Sequence, residues 1–143
     1  MAYSEVLITP MREDLTRHGV VETRTPEEVD RVIGTHQTVL MVTNSVCGCA
    51  AGKARPAVAM AMEGEVRPEV AATVFAGGDV EAVAHLREKH LQGIAPSSPS
   101  MALYRGGKLV WALHRFQIET STAPEIAERL KAAFAEHCAG QPA

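Results

Sequence analysis

The chain has 143 residues, a formal net charge of −3, and 46% hydrophobic but only 4% aromatic residues. That length fits one domain over residues 1–143, with a core built mainly from Ala, Val, Leu and Met. The acidic balance, with no run of Arg or Lys, argues against a nucleic-acid partner, and no apolar stretch approaches membrane-spanning length. Met1-Ala2-Tyr3-Ser4-Glu5 has no basic start, and Val6-Leu7-Ile8 is too short for a secretory core, so the expectation is a soluble cytoplasmic protein. In a reducing compartment, close cysteines serve catalysis or metal binding more often than structure.

Residues Tyr3 to His18 read as helix, with a kink or fresh start at Pro10 and an end at Gly19. A second helix is signalled by Thr25 as N-cap, Pro26 at the first helical position and Glu28 completing a capping box. Val29, Val32 and Ile33 give it an apolar side, and Gly34 closes it. Gln37 to Thr43 is a strand whose continuous apolar centre implies burial on both faces. After Cys47-Gly48-Cys49 an alanine-rich helix runs from about Cys49 to Met62, kinked at Pro56.

Glu69 to Ala76 is the next strand. Gly77-Gly78-Asp79 then turns the chain, without the pattern of a phosphate loop, into a helix from Val80 to about His90 with Asp79 as N-cap. A loop over residues 93–100 precedes a strand, Met101 to Tyr104, a turn, Arg105 to Lys108, and a partner strand, Leu109 to Leu113. The last helix runs from Ala123-Pro124 to about Cys138 on an apolar stripe of Ile126, Leu130, Ala133 and Phe134. Gly140 to Ala143 reads as a frayed tail. The order is two N-terminal helices, then β-α-β-α-β-β-α. This predicts an α/β fold, a central mixed sheet flanked by helices with an N-terminal helical extension.

The chemistry-bearing stretch is Asn44-Ser45-Val46-Cys47-Gly48-Cys49-Ala50-Ala51-Gly52. A thiol where a strand ends and a helix begins meets free backbone N–H groups and the positive end of the helix dipole, so its thiolate is favoured. Cys47 is the nucleophile by that reasoning, and the thiol that resolves its adduct is either Cys49 or an external thiol. A disulfide between them closes a ring of about eleven atoms in a tight turn. Gly48 widens the backbone range available to that turn. Strain in such a ring makes the pair more oxidising.

That stretch, with Ala54-Arg55-Pro56-Ala57 behind it, resembles the bacilliredoxin family. So do Val74-Phe75-Ala76-Gly77 and Ala95-Pro96-Ser97-Ser98-Pro99-Ser100-Met101-Ala102-Leu103. The resemblance spans Tyr3 to Cys138. It implies a thioredoxin-like fold, a cis-proline at Pro99 facing the cysteines, and substrate contact by Gly48, Ser98 and Pro99. It implies removal of bacillithiol, a low-molecular-weight thiol, from S-bacillithiolated client proteins. No cofactor is bound in that reading. Bacillithiol is the thiol co-substrate, and a bacillithiol disulfide reductase is the further partner. Arg55, and Lys53 beside it, are candidates for meeting the carboxylates of bacillithiol's malate part; the alternative is that both are solvated helix residues. Thioredoxin's buried acid behind the cysteines has no counterpart, because residues 37–46 contain no Asp or Glu.

Other readings remain open at the level of sequence. The alternative is a general disulfide isomerase or oxidase using the same cysteines. As a non-catalytic metal-binding module, the pair lacks further ligands at paired spacing, since only Cys138, His137, His114 and scattered histidines remain. Cys138 reads as an unremarkable thiol at a helix end, or else as an additional resolving thiol. His18, His36, His85 and His90 read as surface residues.

Overall fold

The computed structural model describes residues 2–139; the expected tail lies outside them. Its centre is strand β2 (Thr38–Asn44), buried at every position. Alternation along β2 feeds two cores. Leu40 and Val42 face one side, Val39 and Met41 the other. β1 (Val21–Glu22) and β3 (Val70–Phe75) run parallel to β2, whereas β4 (Ser100–Arg105) and β5 (Lys108–Leu113) form an antiparallel hairpin. The spatial order is β1-β3-β2-β4-β5, with β2 paired on both edges. This is the mixed sheet that the element order predicts.

Helices cover both faces. α2 (Pro26–Thr35) and α4 (Val80–His85) bury Val29, Val32, Ile33, Ala82 and Val83 against Val39, Met41, Ala102 and Tyr104. On the other face, α3 (Arg55–Ala61) and α6 (Ala123–His137) pack Ala57, Val58, Ile126, Leu130 and Phe134 against Leu40, Val42, Met101 and Leu103. Alanines on α3 permit the close approach of α6. Each larger aliphatic side chain buried this way contributes about 1.5–3 kcal/mol.

Local signals explain most boundaries. Thr122 accepts from the Glu125 N–H at 3.3 Å while Glu125 accepts from the Thr122 N–H at 2.8 Å, a complete capping box for α6. At α2, Thr25 caps the Glu28 N–H, but the Glu28 carboxylate reaches back to the N–H of Arg24, so the expected box is only half closed. α2 also continues through Gly34 to Thr35. α1 (Glu5–Thr16) runs through Pro10 as one element. Pro10 removes the partner of the Val6 carbonyl, on a turn whose Val6 side chain is exposed.

Asp79 is not the side-chain cap expected for α4. Its carboxylate accepts two hydrogen bonds from the Arg12 guanidinium, at 2.8 and 2.9 Å, and one from the Phe75 N–H at 3.0 Å. Arg12 is buried and also meets Glu5 and Glu22. The pair pins α1 to the turn after β3. Gly78 lets Arg12 and Ile8 come that close, since a Cβ there would lie 2.7 Å from Ile8 Cδ1 and 3.2 Å from Arg12 Nη2.

Two elements were not expected. β1 has two residues, too short for any periodic signal. α5 (Arg115–Glu119) is a single five-residue turn after β5. Two helices also widen into π turns, at Ala50–Ala54 and Leu86–His90. The first lies directly ahead of Pro56, which has no N–H to give, and takes the place of the expected kink.

Candidate active site

The end of β2 is fixed by a relay of short hydrogen bonds. Asn44 donates from its amide to the Met11 carbonyl at 3.1 Å and accepts from the Ser45 N–H at 2.8 Å. Ser45 Oγ accepts from the Cys47 N–H at 3.0 Å. The Cys47 carbonyl then accepts from the N–H groups of Ala50 and Ala51, at 2.9 and 3.2 Å, which starts a helical run over residues 48–61. Cys47 therefore stands at the N-terminus of that helix, beyond the C-terminal ends of the parallel strands. This is where open α/β sheets place their sites.

Both thiols are half-buried and unbonded, with their sulfurs in contact at 2.7 Å. The Cys49 N–H donates to Cys47 Sγ at 3.4 Å, and Arg115 Nη2 approaches the same sulfur at 3.3 Å. The Cys47 thiol is accordingly pulled below its ordinary pKa. The Cys49 side chain contributes most, followed by the Cys49 N–H and, less strongly, the Arg115 charge. The Cys49 thiol is pushed up, by burial first and by the neighbouring Cys47 second. One sulfur is thus a favoured thiolate and the other a favoured proton donor. No carboxylate hydrogen-bonds either sulfur among the described residues, and no third His, Cys, Asp or Glu joins them as a metal-ligand group.

Arg115 is the residue that sequence reasoning missed. Besides Cys47, it donates from Nη1 to the Ser98 carbonyl at 3.1 Å and from its backbone N–H to Ser97 Oγ at 3.3 Å, and it pairs with Glu119 one turn on. The Ser98-Pro99 peptide bond is cis, as the resemblance implied. Cys47, Ser98 and Arg115 line a groove of about 320 Å³ together with Tyr3 and Gly77. The Tyr3 N–H donates to the Gly77 carbonyl at 2.7 Å, so the Arg12–Asp79 pair behind this turn also steadies the groove wall.

The other predicted residues fall as follows. Gly48 is exposed, its φ is not positive, and a Cβ there would meet nothing within 4 Å. With both thiols free, neither backbone angle nor space demands glycine. Arg55 is buried, not solvated as one reading had it, and it does not line the groove. Its Nη1 donates to the Met11 carbonyl at 3.2 Å and lies 3.4 Å from Asp14. Burial, opposed by Asp14, holds its pKa below the ordinary guanidinium value. Lys53 donates to the Glu119 carbonyl at 2.5 Å, tying the π turn to α5.

Cys138 is buried beneath α6, beside Thr38 at the start of β2, and burial raises its pKa. The length of β2, about 20 Å at the usual strand rise, separates it from the sulfur pair. That distance removes it as a resolving thiol.

The family described as Disulphide isomerase matches residues 3–138. A bacilliredoxin of Koribacter versatilis is 47% identical over 137 residues, covering 95% of this chain and 94% of that one. One from Salinibacter ruber is 46% identical over 140 residues, 96% of this chain and 81% of that one. The chain belongs to the bacilliredoxin family. Solved thioredoxins share the fold. The oxidised thioredoxin of Plasmodium falciparum superposes with a TM-score of 0.59 at 21% identity, over 84% of this chain and 99% of that one. A mutant thioredoxin from Halobacterium salinarum gives 0.58 at 17% identity, over 90% and 96%. This bacilliredoxin-family chain is therefore a thiol–disulfide oxidoreductase on a thioredoxin-like fold. Among its described residues no helix is long and apolar enough to cross a membrane.

Proposed function

We propose that the chain removes bacillithiol from S-bacillithiolated proteins, with Cys47 as nucleophile. The observation that carries this is the asymmetry of the sulfur pair. Cys47 is favoured as thiolate and opens on a groove, while Cys49 retains its proton behind it. The Cys47 thiolate attacks the bacillithiol sulfur of the client's mixed disulfide. The S–S bond to the client breaks, the client leaves as a thiolate that takes a proton, and Cys47 carries bacillithiol. A second thiolate, from Cys49 once its proton has passed to the departing client thiolate, or from free bacillithiol, then attacks this new disulfide and releases the adduct. In the first case a Cys47–Cys49 disulfide forms and bacillithiol leaves. In the second Cys47 returns to the thiolate, and the bacillithiol disulfide produced becomes substrate for a bacillithiol disulfide reductase.

Ser98 lines the groove and offers its backbone to the substrate beside Cys47, buried Pro99 fixes that bend from behind without lining the groove, and the exposed backbone at Gly48 keeps the approach to the sulfurs clear. Arg115 takes the carboxylate-binding role considered above for Arg55. Its guanidinium is exposed at the groove and is the planar fork that pairs with carboxylates, whereas Arg55 is buried beneath α1. A general disulfide isomerase would use the same sulfurs without needing that arginine for substrate.

The test compares two mixed-disulfide forms of one client, bacillithiolated and capped with a neutral thiol of similar size. De-bacillithiolation predicts faster release of the first, with the preference lost in Arg115→Gln. Equal rates on both forms, with reshuffling of scrambled disulfides, would favour the isomerase instead.

A further inference from the structure

A second cluster of reactive side chains lies on the sheet face covered by α2 and α4. His85 Nε2 and His90 Nε2 stand 2.9 and 2.7 Å from one atom, Asp30 Oδ1, on α2. The three ligand-type atoms lie within 4.8 Å of one another, the one such group among the described residues. Sequence reading assigned both histidines to the surface, yet they are half-buried and converge. The convergence comes from the backbone. In an α-helix, positions five apart diverge by about 140°. The π turn at Leu86–His90 is wound more widely, with hydrogen bonds between residues five apart, so His85 and His90 are turned toward the same neighbour.

The cluster is held from outside as a ligand shell is. The His90 ring packs edge-on to Tyr104, 6.2 Å between centroids, and Tyr104, fully buried on β4, donates its hydroxyl to the His90 carbonyl at 2.8 Å. The His85 ring packs edge-on to His90 at 6.0 Å. Val29, Val83 and Leu86 belong to the core cluster on this same face. Two imidazoles and one carboxylate form a donor set that borderline divalent metals accept. Tetrahedral zinc, with bonds of about 2.0–2.2 Å, holds its ligand atoms about 3.4 Å apart. The two present separations, 2.9 and 2.7 Å, need to open by about 0.5 and 0.7 Å to reach that spacing, which side chains 12–36% exposed permit.

We propose that Asp30, His85 and His90 form a binding site for a divalent metal ion of the zinc class, through Oδ1 and the two Nε2 atoms, with solvent completing the coordination. The site fastens α2 to the end of α4 and stands apart from the sulfur chemistry. Lys89 moderates it. Its Nζ lies 3.2 Å from Asp30 Oδ2, the oxygen the metal leaves free, so its charge opposes the ion while its contact orients the carboxylate.

The experiment uses the full chain with Cys47 and Cys49 alkylated, so that thiolates do not compete. Zinc chloride is titrated by calorimetry, and cobalt(II) is added separately to record its visible spectrum. The expected result is one zinc ion per chain, weakened about tenfold or more by either Asp30→Asn or His90→Gln and tightened by Lys89→Gln. Zinc should also raise the thermal midpoint of the wild type and not that of the His85→Gln/His90→Gln double variant, with circular dichroism reporting the variant's fold. If the double variant does not fold, the opposite effects of Asp30→Asn and Lys89→Gln decide. Absence of one-to-one zinc binding in the alkylated wild type would overturn the proposal. So would zinc binding and a cobalt spectrum that are unchanged in these variants.

Discussion

Cys47 and Cys138 lie at opposite ends of the layer around β2, each beside a helix terminus, and their surroundings act on them in opposite directions. Cys47 precedes the first turn of a helix, receives the Cys49 N–H and meets the Arg115 guanidinium at 3.3 Å on an open groove, so its thiolate is favoured. Cys138 closes the last turn of α6, where the helix dipole is negative, and is buried among Leu40, Leu130 and Phe134. Its thiol is held protonated by burial. The same side chain is a favoured thiolate at one end and a packing group at the other. What differs is which helix end it meets and whether water reaches it.

The sharpest way to break that contrast is substitution. Cys47→Ser should abolish thiol–disulfide exchange to the background rate, while Cys138→Ser keeps it near wild type, as followed by reduction of a chromogenic disulfide. Labelling should separate the two thiols next. In the native chain near neutral pH, iodoacetamide should modify Cys47 first and reach Cys138 only after denaturation, as read by peptide mass mapping. Equal labelling of both in the folded chain would contradict the burial argument.

The pH dependence sharpens the comparison further. A lowered pKa keeps Cys47 as thiolate to lower pH, so its alkylation rate should fall only when pH drops below the ordinary thiol range. Cys49→Ser should move that midpoint up, because Cys49 is the largest contributor. Arg115→Gln should move it up by less. The smallest effect expected is on stability. Cys138→Ala should cost about 1–2 kcal/mol in denaturant unfolding through a small buried cavity, with the Cys47 midpoint unmoved.

The position of the cysteine pair was legible because three signals coincide in sequence: a strand-like apolar run up to Thr43, the two cysteines, and an alanine-rich helix after them. The chain order of the four longer strands and the Thr25 cap were legible for similar reasons, since caps and periodicity are local. Arg115 was not. It lies in a five-residue helix with no apolar period, and it reaches Cys47 from 68 residues away in the chain. Arg55 carried the same charge in a better-looking place beside the cysteines. Its burial depends on α1 folding over it, through Met11 and Asp14, which no local pattern reports. The His85, His90 and Asp30 cluster stayed hidden because five-residue spacing has no meaning in an α-helix and gains it only in a π turn.

The measurement that bears most directly on the account is the location of the mixed disulfide. The Cys49→Ser chain, reduced and then mixed with bacillithiol disulfide, should form a single adduct that peptide mapping assigns to Cys47. The wild type should lose that adduct with time as a resolving thiol attacks it. An adduct on Cys138, or none on Cys47 at any pH where the folded chain persists, would contradict the claim that the end of β2 is built to make Cys47 the attacking thiolate.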